Sequence, residues 1–507
     1  MKTIQKVDNF LQKYWWTGAV IAGLGVFLIS LLLSYGQSVW FDEGYSILLA
    51  KHSFSDLLSL TAVDAHPPLY YILLKLWGSV FGFGEVALRS LSAVLMGGAV
   101  MVAILLLKKL FSARVALAAV PFIVFAPFLL RYGYELRMYA LATLIAVSAT
   151  YTLVKARASE GWKWWLVYAV LVALGMYTLY LMVAIWISHF VWLLVVSLKD
   201  RKTPFWRWPW LYAFAGAVAL FAAYIPTFLH QLIYSALPGM GSALTVPQLT
   251  NIVSTLVLYI PEWSLGGWGS LVVIGFVAII AIFGVSFYKS LKKEARRNFM
   301  LLLSLTAVPV AFYALTSLPP RDPIFIVRYM AHSALFVYML IGVIIGGTLL
   351  RRPQKSARAW WIAGLSLAVL FVLVYGVVSL HRTGNFNFER MQYPMTQTVR
   401  DYARCDDTSR VTVVADDPYT YIDSAFYFDS CSLKFYSENN VEYAGGYAML
   451  HNSNDRVASA ADVKTPVLIH LGWDGAEPAF KPDARYRLVD ETTFDKQHIE
   501  RYELIAE

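Results

Sequence analysis

Charge is scarce in this chain. Only 15% of its 507 residues are Asp, Glu, Lys or Arg, against about 25% in an ordinary soluble domain. Hydrophobic residues make up 58%, and the mean hydropathy is +0.55. That balance excludes a soluble globular protein of this length. Cysteine is scarcer still, at two residues, Cys405 and Cys431. No basic, aromatic-studded groove or helix is visible, so the net charge of +9 is no argument for nucleic acid. Nor does an obvious small-residue cleavage site follow the first apolar run, TGAVIAGLGVFLISLLLSYG. It reads as a retained span and not as a removed signal.

Acid is the rarest charge in the first three quarters of the chain. Residues 1–384 hold 12 Asp/Glu against 30 Lys/Arg, whereas residues 385–507 hold 21 against 12. The second part also lacks long apolar runs, so it reads as a separate soluble domain. The first part reads as a polytopic α-helical membrane domain, since runs of about 18 or more apolar residues can each cross the hydrocarbon. Eleven spans fit: 17–35, 87–107, 115–131, 137–154, 163–178, 180–198, 209–230, 265–288, 299–317, 327–350 and 359–380.

The loops alternate in charge. KKLFSAR, KARASEGWK, KDRKTPFWR, KSLKKEARR and RRPQKSAR hold 19 Lys/Arg and three acids, and the intervening segments 36–68, 131–137, 231–262 and 318–328 hold five Lys/Arg. Basic loops favour the cytoplasmic side, so the N-terminus is expected there too. Residues 66–83, HPPLYYILLKLWGSVFGF, decide the parity. The run is short, opens on Pro67-Pro68 and carries Lys75. An amphipathic helix lying on the outer surface is the better reading, with proline tolerated in its first turn. The first loop, 36–86, and the domain 385–507 then both lie outside. An exported domain with two cysteines implies a disulfide.

Short β-like runs mark that outer domain: VTVVA at 411–415, SAFYF at 424–428, LKFYS at 433–437 and PVLIHLG at 466–472. QTVRDYARC suits a first helix. A small α/β domain is expected, with Asp416 and Asp417 at a solvated strand exit.

The groups able to do chemistry gather on the outer side. WFDEGY supplies Asp42 and Glu43, and VDAHPPLYY supplies Asp64, His66, Tyr70 and Tyr71. Glu85 and Arg89 open the second span. RYGYELRMYAL contributes Arg131, Tyr134, Glu135, Arg137 and Tyr139, and RDPIFIVRYMAH contributes Arg321, Asp322, Arg328, Tyr329 and His332. Carboxylates there can take a proton, and arginines can fork onto phosphate oxygens. Ionisable groups at membrane depth mark function by default. The competing reading pairs Arg89 with Glu85 and Arg137 with Glu135, or lets them snorkel to headgroups. Asp42, Glu43, Asp64 and His66 match no specific metal spacing. No cofactor is certain, and a divalent metal is the less favoured reading.

Taken together, FDEGYS at 41–46, DAHPPLYYILLKLWGSVFG at 64–82, EVALRSLSAVLMG at 85–97, ELRMYAL at 135–141 and VRYMAHSALF at 327–336 resemble bacterial GT-C glycosyltransferases. The resemblance is to the group related to protein O-mannosyltransferases and the lipid A aminoarabinose transferase, over residues from about 20 to 380. It implies a polyprenyl-phosphate-linked sugar as donor, with mannose favoured. It implies a glycan, lipid or protein acceptor outside the bacterial plasma membrane, with membrane lipids around the protein. Asp42 matches the first-loop acid that activates the acceptor. Glu43, His66, Arg89, Glu135, Arg137 and Arg328 are candidates for substrate or phosphate binding, and Tyr70, Tyr71, Tyr139 and Tyr329 for the donor cavity. The small acidic tail departs from the β-trefoil of eukaryotic O-mannosyltransferases. A transporter or flippase, and a lipid-diphosphate-dependent oligosaccharide ligase or polymerase, stay open as alternatives.

Overall fold

A computed structural model describes residues 2–35, 37–159, 161–200, 203–234, 246–258, 268–316, 327–350, 357–383, 402, 409–428, 431–439, 441–451, 453–494 and 497–505. Eight helical stretches among them are long and apolar enough to cross a bilayer: Lys13–Ser34, Glu85–Leu110, Tyr139–Ala158, Tyr180–Asp200, Pro209–Tyr234, Gly269–Ser290, Lys293–Thr316 and Val327–Leu350. The other three expected spans fall on shorter apolar stretches, Ala113–Val124, Lys163–Met176 and Ala363–Val378. The chain is a multi-pass membrane protein.

One expected span is broken. Residues 115–131 form two helices, Ala113–Val124 and Pro127–Tyr132. Pro127 has no N–H to continue the first helix, and it disfavours the α conformation at Ala126, which is extended at φ −78°, ψ 101°.

The residues cluster into two compact units. The first comprises Met1–Leu33, Arg89–Phe228 and Leu237–Phe386; the second comprises Ser34–Leu88, Leu229–Ala236 and Asn387–Glu507.

In the first unit the central helix is Ala331–Leu350, AHSALFVYMLIGVIIGGTLL. It is apolar on all sides, as a helix surrounded by other helices must be, and it is buried along almost its whole length. Gly342 and Gly346 let it approach helix Ala113–Val124 closely. A Cβ on either glycine would lie 2.8 Å from the Cβ of Ala119 or Ala118 respectively. Small residues four apart permit such contact between membrane helices. Helix Gly269–Ser290 is the opposite case, with most of its apolar surface exposed, as suits contact with lipid.

In the second unit the first loop folds as α2 (Phe41–Lys51), α3 (Phe54–Val63) and α4 (Leu69–Phe81), following α1 (Lys2–Ser34). Helix α4 starts directly after Pro67-Pro68, as expected. The tail forms a six-stranded sheet: β1 (Val411–Ala415), β2 (Ser432–Tyr436), β3 (Arg456–Val457), β4 (Val467–Trp473), β5 (Tyr486–Phe494) and β6 (Gln497–Leu504), in the order β3-β2-β1-β4-β6-β5. The first four strands in that order are parallel, and β6 and β5 add on antiparallel. Val414, Val457, Leu468, Phe480 and Tyr486 pack one face.

The tail corrects one expectation. SAFYF at 424–428 is not a strand: helix Pro418–Ser424 runs into it and turns follow. Asp417 caps that helix, its Oδ1 accepting from the amides of Tyr419 (2.7 Å) and Thr420 (3.0 Å), and Pro418 occupies the first helical position. Local capping overrides the β propensity of the aromatics. Strand β5 was not anticipated, because most of YRLVDETTF is solvent-exposed and lacks a buried alternation. Cys431 is disulfide-bonded; the chain's other cysteine, Cys405, and most of QTVRDYARC lie outside the described residues.

Candidate active site

Helix α2 begins at Phe41, so Asp42 and Glu43 fall in its first turn. There the aligned peptide dipoles favour negative charge. Successive side chains on a helix diverge by about 100°, and their environments diverge too. Glu43 is fully buried, whereas Asp42 is half-buried. Helix α2 rests on a tyrosine layer. The Tyr45 ring meets Tyr71 edge-on at 6.2 Å, and Tyr71 meets Tyr70 at 5.9 Å. All three are buried. Lys75 closes the far end of α2, its Nζ donating to the carbonyls of His52 (2.5 Å) and Ala50 (3.4 Å). The residue that argued against α4 as a span thus caps a neighbouring helix, where cations are favoured.

Asp64 ends α3 and is fully buried. Its Oδ1 accepts from the Ala65 amide at 2.6 Å, and its Oδ2 lies 3.4 Å from His66 Nδ1. The structure therefore brings Asp64 and His66 together. Gln231 fixes the end of α3 by donating to the Thr61 carbonyl at 2.6 Å. Among the described residues, the group of three ligand-type side chains close enough to share a metal ion is Glu491, His498 and Glu500 on β5 and β6, not the first-loop set.

The first unit holds the second group of charges. Among the described residues, its buried charged side chains are Arg89, Arg131, Glu135 and Arg137. Arg131 Nη1 donates to Glu135 Oε2. The spacing of four between Arg131 and Glu135 is legible in the sequence, yet Arg131 is not among the residues expected to bind phosphate. The guanidinium also lies 5.3 and 5.4 Å from the rings of Tyr132 and Tyr134. Ser92 Oγ donates to the Glu135 carbonyl at 2.6 Å, tying this turn to the helix that carries Arg89. Gly133 makes the turn tight, because a Cβ there would lie 3.0 Å from the Leu129 carbonyl oxygen and closer still to Ser30 Oγ. Tyr139 is buried and meets Tyr132 edge-on at 5.0 Å. Three guanidinium groups buried out of water in the one unit are suited to an anion.

Arg328 and Tyr329 sit in a 3-10 turn, Val327–Met330, that precedes the central helix. Tyr313 holds that turn by donating to the Tyr329 carbonyl at 3.1 Å. The expected single helical face for Arg328 and His332 is interrupted by this change of helix type. Arg328 is half-buried, while His332 is buried in the central helix. Arg321 and Asp322 lie outside the described residues. Of the selected residues, Asp42, Glu43, His66, Tyr70 and Tyr71 thus belong to the second unit. Arg89, Glu135, Arg137, Tyr139, Arg328 and Tyr329 belong to the first.

The tail holds a third titratable cluster. His470, fully buried on β4, lies between Asp416 Oδ1 (3.1 Å from Nε2) and Glu500 Oε2 (2.8 Å from Nδ1). Asp416 also accepts from the amides of Phe480 (2.7 Å) and Ala479 (3.1 Å). It is therefore no solvated strand exit. Burial disfavours the charged imidazole, but the two carboxylates outweigh it and raise the His470 pKa above 6.5. Burial likewise pulls Asp416 up, yet its hydrogen bonds from His470 and the two amides leave it below its ordinary value. The His470 hydrogen bond holds Glu500 down despite burial.

The family model described as dolichyl-phosphate-mannose-protein mannosyltransferase matches residues 65–227. No curated protein matches the sequence. Solved structures do match in fold. The chain is similar to apo ArnT from Cupriavidus metallidurans, with 12% identity, a TM-score of 0.62, and 96% of this chain and 98% of that one covered. The same protein bound to undecaprenyl phosphate gives 13%, 0.61, 95% and 97%. The Archaeoglobus fulgidus oligosaccharyltransferase tethered to an acceptor peptide gives 12%, 0.53, 91% and 69%. With its spanning helices and small sheet domain, the chain has the GT-C glycosyltransferase fold.

Proposed function

We propose that this protein is an inverting membrane glycosyltransferase that moves a sugar from a polyprenyl phosphate to an extracytoplasmic acceptor. The observation that carries the proposal is the set of buried guanidinium groups in the first unit, Arg89, Arg131 and Arg137, with Glu135 bonded to Arg131. Such a set suits a phosphate, and a neighbour of the same fold binds undecaprenyl phosphate. Mannose is the sugar favoured by the family description. The basic loops support a plasma-membrane protein with a cytoplasmic N-terminus and an outer tail.

In this mechanism Asp42 takes the proton of the acceptor hydroxyl. The acceptor oxygen forms its bond to the anomeric carbon as the bond from that carbon to the phosphate oxygen breaks. Polyprenyl phosphate leaves with the electron pair. Arg89, Arg131, Arg137 and Arg328 meet the charge gathering on it, and Tyr139 and Tyr329 line the donor side. His66 orients the acceptor, and Glu43, buried in the same turn, supports Asp42. One displacement inverts the anomeric centre, and a general base contributes about 10²–10⁴-fold.

The test is incubation of the purified protein with radiolabelled polyprenyl-phosphate sugars and membrane extract. Wild type is expected to transfer one sugar, and Asp42→Asn to lose about 10²-fold or more in rate. Transfer only from a lipid diphosphate overturns the donor assignment, and an undiminished rate for Asp42→Asn overturns the base. A cytoplasmic signal from a reporter fused after Glu507 overturns the orientation.

A further inference from the structure

The tail contributes no group to the mechanism above, yet it belongs to the same compact unit as the first loop. Its helix Pro418–Ser424, here α18, packs against α2. The contacts bracket Asp42 on both sides in sequence. Before it, the Val39 amide donates to Tyr427 Oη at 2.8 Å. Immediately before it, the Phe41 ring stacks on Tyr419, with centroids 4.6 Å apart and planes 6° from parallel. The same ring meets Tyr447 edge-on at 5.4 Å. After it, Gly44 lies so close to the Ile422 carbonyl oxygen that any Cβ would collide. The glycine of FDEGY is thus explained by packing: its hydrogen lets two helices touch through backbone.

The other side of this contact is firmly held. Asp417 caps α18, Trp473 Nε1 donates to Thr420 Oγ1 at 3.0 Å, and Tyr421 Oη donates to Asp455 at 2.8 Å. Ile422 is fully buried. The helix therefore sits on the tail's sheet as a rigid platform, and a short helix that carries a reacting carboxylate gains from such support.

We propose that Tyr419, Tyr427 and Ile422, with Tyr447, are positioning residues of the tail that fix the orientation of Asp42. The inference rests on Asp42 as the base. It gives the outer domain a catalytic purpose without a catalytic group of its own. The geometry demands the ring of Tyr419 but not its hydroxyl, and the hydroxyl of Tyr427 as acceptor for the Val39 amide.

The experiment uses the full chain in detergent, with kinetics and hydrogen exchange on each variant. Tyr419→Ala is expected to lower kcat by up to about 10²-fold, the scale of a displacement of about 1 Å, with the donor KM unchanged. Tyr419→Phe restores kcat, and Tyr427→Phe speeds exchange of the Val39 amide. An unchanged kcat in Tyr419→Ala overturns the proposal, as does a Tyr419→Phe variant no better than alanine. A rise in donor KM equal to the loss in kcat also overturns it, since orienting Asp42 leaves donor binding alone, as does a kcat loss no larger than the loss of folded protein. If Asp42→Asn proves fully active, the base assignment falls separately. Exchange at residues 39–46 in Tyr419→Ala still reads the clamp: faster exchange supports it and unchanged exchange sinks it.

Discussion

Replacing His470 with phenylalanine should loosen the centre of the tail's sheet, and the structure sets the scale. One imidazole ties three strands: it stands on β4, accepts or donates to Asp416 at the exit of β1, and faces Glu500 on β6, its partner in the antiparallel register. The side chains are 0%, 11% and 15% exposed for His470, Asp416 and Glu500. Phenylalanine keeps the ring against Phe480, 5.6 Å away, but removes both polar contacts. A hydrogen bond to a charged group is worth about 1.5–3 kcal/mol, and breaking a buried ion pair costs about 3–5 kcal/mol. Asp416 keeps its two amide donors and Glu500 reaches water, so the lower end, about 3 kcal/mol, applies.

That figure corresponds to about 10²-fold faster hydrogen exchange at 1.4 kcal/mol per decade. Exchange is the right readout, because a chain of two units need not unfold in one step. The amides of β1, β4 and β6 should show the effect. The pH dependence has a definite sign. His470 is raised, so its stabilisation is complete below about pH 6.5 and fades as pH rises through the folded value. Asp416 and Glu500 are lowered, so theirs is complete above about pH 4.5 and fades as pH falls through their folded values. Protection, corrected for intrinsic rates, should therefore be greatest between about pH 4.5 and 6.5. His470→Phe should abolish the decline above that window. Unchanged exchange in the variant at pH 6, or wild-type protection that does not fall toward pH 9, would refute the reasoning.

Glu135→Gln removes the carboxylate bonded to the buried Arg131 guanidinium and should lower stability in detergent by about 3–5 kcal/mol. Adding Arg131→Gln should recover part of the loss, and a double variant worse than the single argues against a direct pair. Gly346→Val forces a side chain into the gap beside Ala118, at about 1–3 kcal/mol. Ala118→Gly should rescue it incompletely, because the Ala118 carbonyl oxygen lies 3.1 Å from the same Cβ position. Glu43→Gln should slow sugar transfer less than Asp42→Asn, since a buried carboxylate lacks the access that a base needs to the acceptor proton. Equal losses in the two variants would count against the division of roles.

The membrane part was legible where composition alone decides structure. AHSALFVYMLIGVIIGGTLL, with no polar face, had to be surrounded by other helices, and it is. The start of α4 was legible because Pro67-Pro68 suits the opening of a helix far better than its interior. The break at Pro127 used the same rule, yet an apolar run on both sides concealed it. In the tail, two local signals disagreed at residues 416–428. The aromatic SAFYF suited a strand, while Asp417-Pro418 suited a helix start, and the cap prevailed because it satisfies amides that the strand reading leaves unassigned.

The site was harder for a different reason. Periodicity reports on neighbours within a turn or two, so it can suggest that Arg131 meets Glu135 but not that Phe41 meets Tyr419, 378 positions away. Gly44 illustrates the loss most clearly. Within FDEGY it looks like a weak link in a helix, costing about 1 kcal/mol relative to alanine. Only the Ile422 carbonyl at its Cβ position turns that cost into a requirement. The two acids before it carry the same lesson. They are chemically alike and adjacent, and no local rule separates them. Burial separates them: Glu43 is sealed beneath the helix, and Asp42 keeps a path to water. What distinguishes the proposed base from its neighbour is thus a property of the tertiary fold, supplied by the packing of α4 and α18 against α2.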